Sequence, residues 1–128
     1  MRWLLCFVGS TRVFVPTDAV KLIAEYVVGP PPPLTSPYVA GVGVMEGGLV
    51  LSVRVGFRPN ARERRTKGIL LSTAGSALDW AFEVDETVGL VAEEPKDMLQ
   101  SEPPWLRRTR GGERVLDVAS MVATIGGA

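Results

Sequence analysis

The chain contains no histidine and a single cysteine, and these two scarcities remove much of familiar catalytic chemistry. Without an imidazole there is no Ser–His or Cys–His nucleophile pair, no neutral-pH acid/base of the usual kind, and no histidine-bearing zinc site. One thiol cannot close an intramolecular disulfide or build a zinc–thiolate cluster, and its rarity fits a reducing compartment. Cys6 stands between Leu5 and Phe7, the setting of an inert buried strand thiol rather than of a nucleophile. An enzyme would have to run on carboxylates, lysine or arginine alone. No enzyme activity, cofactor or metal is expected.

Long apolar runs are missing too. The opening MRWLLCFVG is too short for a secretory segment and leads to Thr11 and Arg12 without a small-residue cleavage site. Nothing approaches the roughly twenty apolar residues needed to cross a bilayer, so a cytoplasmic location without membrane insertion is expected. An excess of charge of either sign is likewise absent. Fourteen basic residues balance fourteen acidic ones, which argues against whole-molecule attraction to nucleic acid or anionic lipid.

What is present is an ordinary globular composition, 46% hydrophobic and 22% charged, over 128 residues. That length suits one domain, able to bury about two-thirds of its unfolded surface. Trp3 to Val8 and Val13 to Val15 read as strands about a turn at Gly9–Arg12. Thr17 or Asp18 supplies a helix start, and Ala19, Val20, Leu22, Ile23 and Tyr26 fall at helical spacing, predicting a short amphipathic helix. Gly29 and four prolines end it.

The most informative stretch is Pro30 to Val55. A strand from Tyr38 to Val44 meets a turn at Met45–Gly48. A second strand alternates, with Leu49, Leu51, Val53 and Val55 on one face and Val50, Ser52 and Arg54 on the other. The unusual residues sit at the turn, and turns display what partners read, so the hairpin suggests recognition rather than chemistry. Val44 and Met45 form either an exposed apolar patch for a partner or a tip folded back into the core.

Further strands are expected at Ile69–Thr73, at Leu78–Asp85 and at Val88–Val91. A turn at Ala74–Ser76 precedes the second of these, and its alternation sets Glu83 and Asp85 on a solvent face. A final hairpin spans Trp105 to Leu116. The C-terminal helix is the clearest element: Asp117 is a natural N-cap, Val118, Met121, Val122 and Ile125 recur at helical spacing, and Gly126–Gly127 ends it. Many short strands with two short helices predict a mainly β, barrel-like domain.

The charged clusters are less specific. Arg58, Arg62, Arg64, Arg65 and Lys67 lie in a polar connection, Gly56 to Gly68, with Glu63 interrupting and only Phe57 to stack on a base. They read as a solvated loop or a dock for an acidic partner before a nucleic-acid site. The carboxylates from Glu83 to Glu102 match no calcium loop. Neither Gly41–Gly43 nor Gly47–Gly48 leads into the lysine or helix start of a phosphate cradle.

Taken in order, two strands, then Ala19–Ile23, then a proline-rich approach to Tyr38–Val42, the segment Phe82–Glu86 with Gly89, and Val115–Val118 resemble the CheW-like domain of bacterial chemotaxis coupling proteins. The last two segments resemble that family's "G-L-x-V-D-x-V" strand and its terminal "L-L-D". The resemblance implies two small SH3-like five-stranded barrels. The first would span about residues 1–56 with the helix at 117–125, and the second about 68–116.

It also implies a non-enzymatic adaptor that joins a histidine kinase's regulatory domain to a chemoreceptor or another component. A divergent module outside standard chemotaxis, self-associating or bound to another regulator, is the alternative. Val20, Ile23 and Gly41, with the turn Val44, Met45, Glu46 and Gly47, would face the receptor, although Val20 and Ile23 also suit a helix core. Val84, Asp85 and Val88 would face the kinase. Where the family reads G-V-x-N-L-R-G, this chain has Val44 for the asparagine and Glu46 for the arginine, and a strand aspartate has become Arg54. Glu46 and Arg54 could pair across the hairpin, and the charge is reversed at positions the family associates with receptor contact and with bracing the hairpin.

Overall fold

A computed structural model describes residues 2–33, 35–56, 63–73 and 78–126. The expected turn at Ala74–Ser76, together with Phe57, Arg58, Arg62 and Gly127, lies outside the described residues. Eleven strands and one α-helix form among the described residues. The strands are β1 (Trp3–Val8), β2 (Thr11–Pro16), β3 (Val20–Val28), β4 (Val39–Met45), β5 (Gly48–Val53) and β6 (Arg64–Leu71). They continue as β7 (Asp79–Val84), β8 (Glu86–Val91), β9 (Met98–Leu99), β10 (Leu106–Thr109) and β11 (Arg114–Leu116), and α1 covers Val118–Gly126.

The helix expected over Ala19–Tyr26 is a strand. Only Thr17–Ala19 form a single 3-10 turn, after which β3 pairs along its length with β6. Val20, Leu22, Ile23 and Tyr26 satisfy helical spacing, but Leu22, Ala24, Tyr26 and Val28 equally satisfy a period of two. The β-branched and aromatic content of the segment, with an open pairing edge on β6, decides for the strand.

Strands β3, β4, β5, β7 and β6 close into a five-stranded barrel, and the others make a six-stranded sheet ordered β8-β1-β2-β11-β10-β9. The subdomains are therefore interleaved in sequence. β1 and β2 belong with β8–β11, while β6 and β7 complete the barrel begun by β3–β5, so the expected division at Gly56 does not hold. The cause is parallel pairing: β5 takes β7 as its neighbour, and β2 takes β11. At the edges of the sheet, Val91 of β8 and Met98 of β9 pack against one small core of Leu5, Phe14 and Val115, so the sheet bends both edges toward a common interior.

The main core lies between the two subdomains. Trp80, Phe82 and Val84 of β7, Ile69 and Leu71 of β6 and Val53 of β5 meet Leu4, Cys6, Val13 and Val15 of the sheet, with Met121 and Ile125 of α1 closing one side. The helix begins as its sequence requires, since the Asp117 carboxylate accepts the Ser120 N–H at 3.1 Å. The barrel's own interior is narrow. The Tyr26 ring fills it so tightly that a Cβ on Gly43 or Gly68, on the flanking strands, would lie within 2.9 Å or 2.7 Å of that ring.

Candidate functional site

Because β7 is covered on both sides, its alternation has a meaning opposite to the expected one. Trp80, Phe82 and Val84 face the other subdomain, and the polar face turns into the barrel. Glu83 is fully buried there rather than solvated. Arg64 grips it with two parallel hydrogen bonds, Nη1 to Oε1 at 2.6 Å and Nη2 to Oε2 at 2.7 Å. The Ser52 hydroxyl donates to Oε2 and Thr66 to Oε1, and the Tyr26 hydroxyl meets Ser52 Oγ at 2.7 Å. Charge-assisted, bidentate contacts of this kind are what a buried carboxylate requires. Burial pushes the Tyr26 phenol above its ordinary pKa, and the bond to Glu83 raises that of Arg64. Arg64 is thus no part of a solvated loop.

Arg54 extends the network outward. It lies 3.8 Å from Glu83 and donates to Asp85 Oδ1 at 2.7 Å, so these two carboxylates are among its partners and the expected pair with Glu46 does not form. Asp85 also accepts the Gly9 N–H, while its own N–H donates to Phe7 O at 2.8 Å. Partial burial disfavours the Asp85 charge, but the bonds from Arg54 and Gly9 outweigh it and hold the carboxyl below its usual range. The result is a brace from the barrel interior to the β1–β2 turn. Among the described residues no three His, Cys, Asp or Glu side chains converge, and no helix is long and apolar enough to cross a membrane.

The residues expected to meet partners divide into two groups. Val44 and Glu46 are exposed at the β4–β5 tip, where Glu46 and Gly47 both take left-handed backbone angles, φ 51° and 77°. Met45 is buried inside the barrel, so the tip neither folds back whole nor displays both apolar residues. Ile23 reaches the surface of β3 and Val88 the surface of β8. Val84, by contrast, is buried in the inter-subdomain core and cannot touch a partner, and Asp85 is engaged in the brace.

The grouping of Val20, Ile23 and Gly41 does not form. Val20 starts β3 beside Leu71, whereas Gly41 lies against Val28 and Gly29, eight residues and about 26 Å along the strand. Gly41 has its own reason to be glycine: φ is +155° and a Cβ would come within 1.9 Å of Gly29 O. Val27, Leu49, Leu78 and Leu90 are exposed as well. Alternation alone assigns Leu49 to the core with Leu51 and Val53, and only the end of the inter-subdomain contact decides where that face meets water.

The described residues thus make a β protein of two packed subdomains, with a polar network inside the barrel and exposed aliphatics on strand surfaces. Its fold is that of the CheW scaffolding proteins. The chain superposes on the crystal structure of the scaffolding protein TtCheW from Thermoanaerobacter tengcongensis with a TM-score of 0.63 at 11% identity, covering 92% of this chain and 89% of that one. No protein-family model matches the sequence, and no curated protein matches it. The likeness is one of architecture, with the sequence far diverged.

Proposed function

We propose that the chain is a non-enzymatic CheW-like adaptor of the cytoplasm, joining a histidine kinase's regulatory domain to a receptor or other component of a chemosensory-type signalling complex. The observation that carries this reading is the match of the whole two-subdomain architecture to a scaffolding protein over nearly the full length of both chains. The polar network is in keeping with it, because Glu83, Arg64, Arg54 and Asp85 bind one another across the fold. The kinase-facing element is β8, an edge strand with Val88 and Leu90 exposed. Edge strands offer backbone groups and alternate side chains to a partner. The receptor-facing element is the β4–β5 tip with Val44 and Glu46, supported by Ile23.

Glu46 favours a second reading, a CheW-like module serving a regulator outside standard chemotaxis. An exposed carboxylate stands where the family carries arginine, and a partner selected by arginine is repelled by it. A pulldown with the wild-type chain beside Glu46→Arg separates the two. Recovery of the kinase by wild type, with receptor gained by Glu46→Arg, marks a rewritten adaptor. Absence of both from either bait overturns the adaptor reading.

A further inference from the structure

The exposed aliphatic residues of the barrel form one transverse row. Val44 pairs with Leu49 across the hairpin. The rung beside Val28–Gly43 sets Val27 next to Val44, and the rung before Val50–Asp79 sets Leu78 next to Leu49. All four point outward, with exposures of 43% (Val27), 56% (Val44), 66% (Leu49) and 54% (Leu78). Cross-strand neighbours lie about 5 Å apart, so the four positions line up as an aliphatic stripe. On β3 exposed Glu25 separates Val27 from Ile23, so the stripe runs across the strands rather than along β3.

The ends of the row differ in charge. Beyond Val27 its pairing partner on β6 is Arg65, with Lys67 two residues on. At the other end stands Asp79, beside Leu78 in the chain and with its carboxylate near Gly48 at the start of β5, while Glu46 lies at the β4–β5 tip midway along the row. Glu25 approaches Arg65 at 3.9 Å, but both side chains are about two-thirds exposed and so weakly coupled that the guanidinium can take another partner. The face therefore runs from basic through aliphatic to acidic.

We infer that this face docks on a second copy of the chain. A copy turned end for end lays Val44 against Leu49 and Val27 against Leu78, and brings each Arg65 toward the other's Asp79. The pattern complements itself, as a two-fold interface requires. A different protein would need a rim of reversed polarity, whereas a copy supplies it by construction. From Arg65 to Leu78 the row spans four strand spacings, about 19 Å, which is small for a permanent interface and places the contact among transient ones. The inference stands apart from the adaptor reading, and loss of kinase binding would leave it untouched.

Sedimentation equilibrium on the intact chain tests it, between about 10 μM and about 1 mM. Wild type forms dimers over this range. Leu49→Lys, at a site exposed enough to keep the fold, weakens them at least about tenfold with an unchanged circular-dichroism spectrum. Arg65→Asp and Asp79→Arg each weaken the dimer, and the two together restore it. A wild-type chain still monomeric at about 1 mM, a Leu49→Lys dimer as strong as wild type, or charge variants that fail to compensate would overturn the inference.

Discussion

Glu83 carries the largest residue-scale consequence. Its carboxylate is buried among Arg64, Ser52, Thr66 and Arg54, so removing it takes the bidentate partner from a part-buried guanidinium. Glu83→Ala should cost about 3–5 kcal/mol in urea denaturation. Replacing Glu83 and Arg64 together by leucine should cost much less, because an apolar pair leaves no charge unmatched. The sequence made Glu83 visible as one of an alternating set but not its surroundings: period two separates the faces of a strand without saying which face water reaches.

The pH response also belongs to single residues. Burial pushes the Cys6 thiol from 9.0 up to about 12, and raises the Tyr26 phenol from 10.0. Folded pKa values above unfolded ones give stability that is intact below the unfolded pKa and lost as pH rises through the folded value. The melting temperature should therefore fall above pH 9, and Cys6→Ala should move the onset toward pH 10, where Tyr26 begins to contribute. In the native state Cys6 should resist thiol reagents. Asp85 works oppositely: its pKa is depressed, so its contribution holds above the unfolded value of 3.8 and fades as pH falls through the folded one. Its partial exposure keeps that contribution small.

At the scale of elements, α1 and the β4–β5 hairpin were legible because each is specified locally. Asp117 caps the helix, and Asp117→Ala should lower stability by about 1 kcal/mol, read as a shift in the denaturation midpoint. β3 was not legible as a strand. Val20–Val28 fits two periods, and the choice is made by β6, some forty residues onward. Gly41 shows the same dependence on distant context. A groove role and a structural role are indistinguishable in sequence, but the carbonyl of Gly29 leaves no room for a Cβ. Gly41→Ala should cost roughly 3 kcal/mol or more, or prevent folding, as thermal melting would show.

At the scale of the whole molecule, the resemblance found the architecture but misplaced the boundary between the subdomains. Parallel pairs such as β5 with β7 bring distant segments together, and no local pattern announces them. Two subdomains packed through Trp80, Phe82 and Val84 leave apolar strand surfaces to water at β8 and across the barrel. Those surfaces give the account its central claim, that the chain works by holding other proteins. The direct measurement is calorimetric titration of the full chain with the isolated regulatory domain of a histidine kinase from the same organism. The account predicts saturable binding, weakened at least about tenfold by Val88→Lys at the exposed β8 edge with the fold unchanged. Absence of binding, or full-strength binding by Val88→Lys, would contradict it.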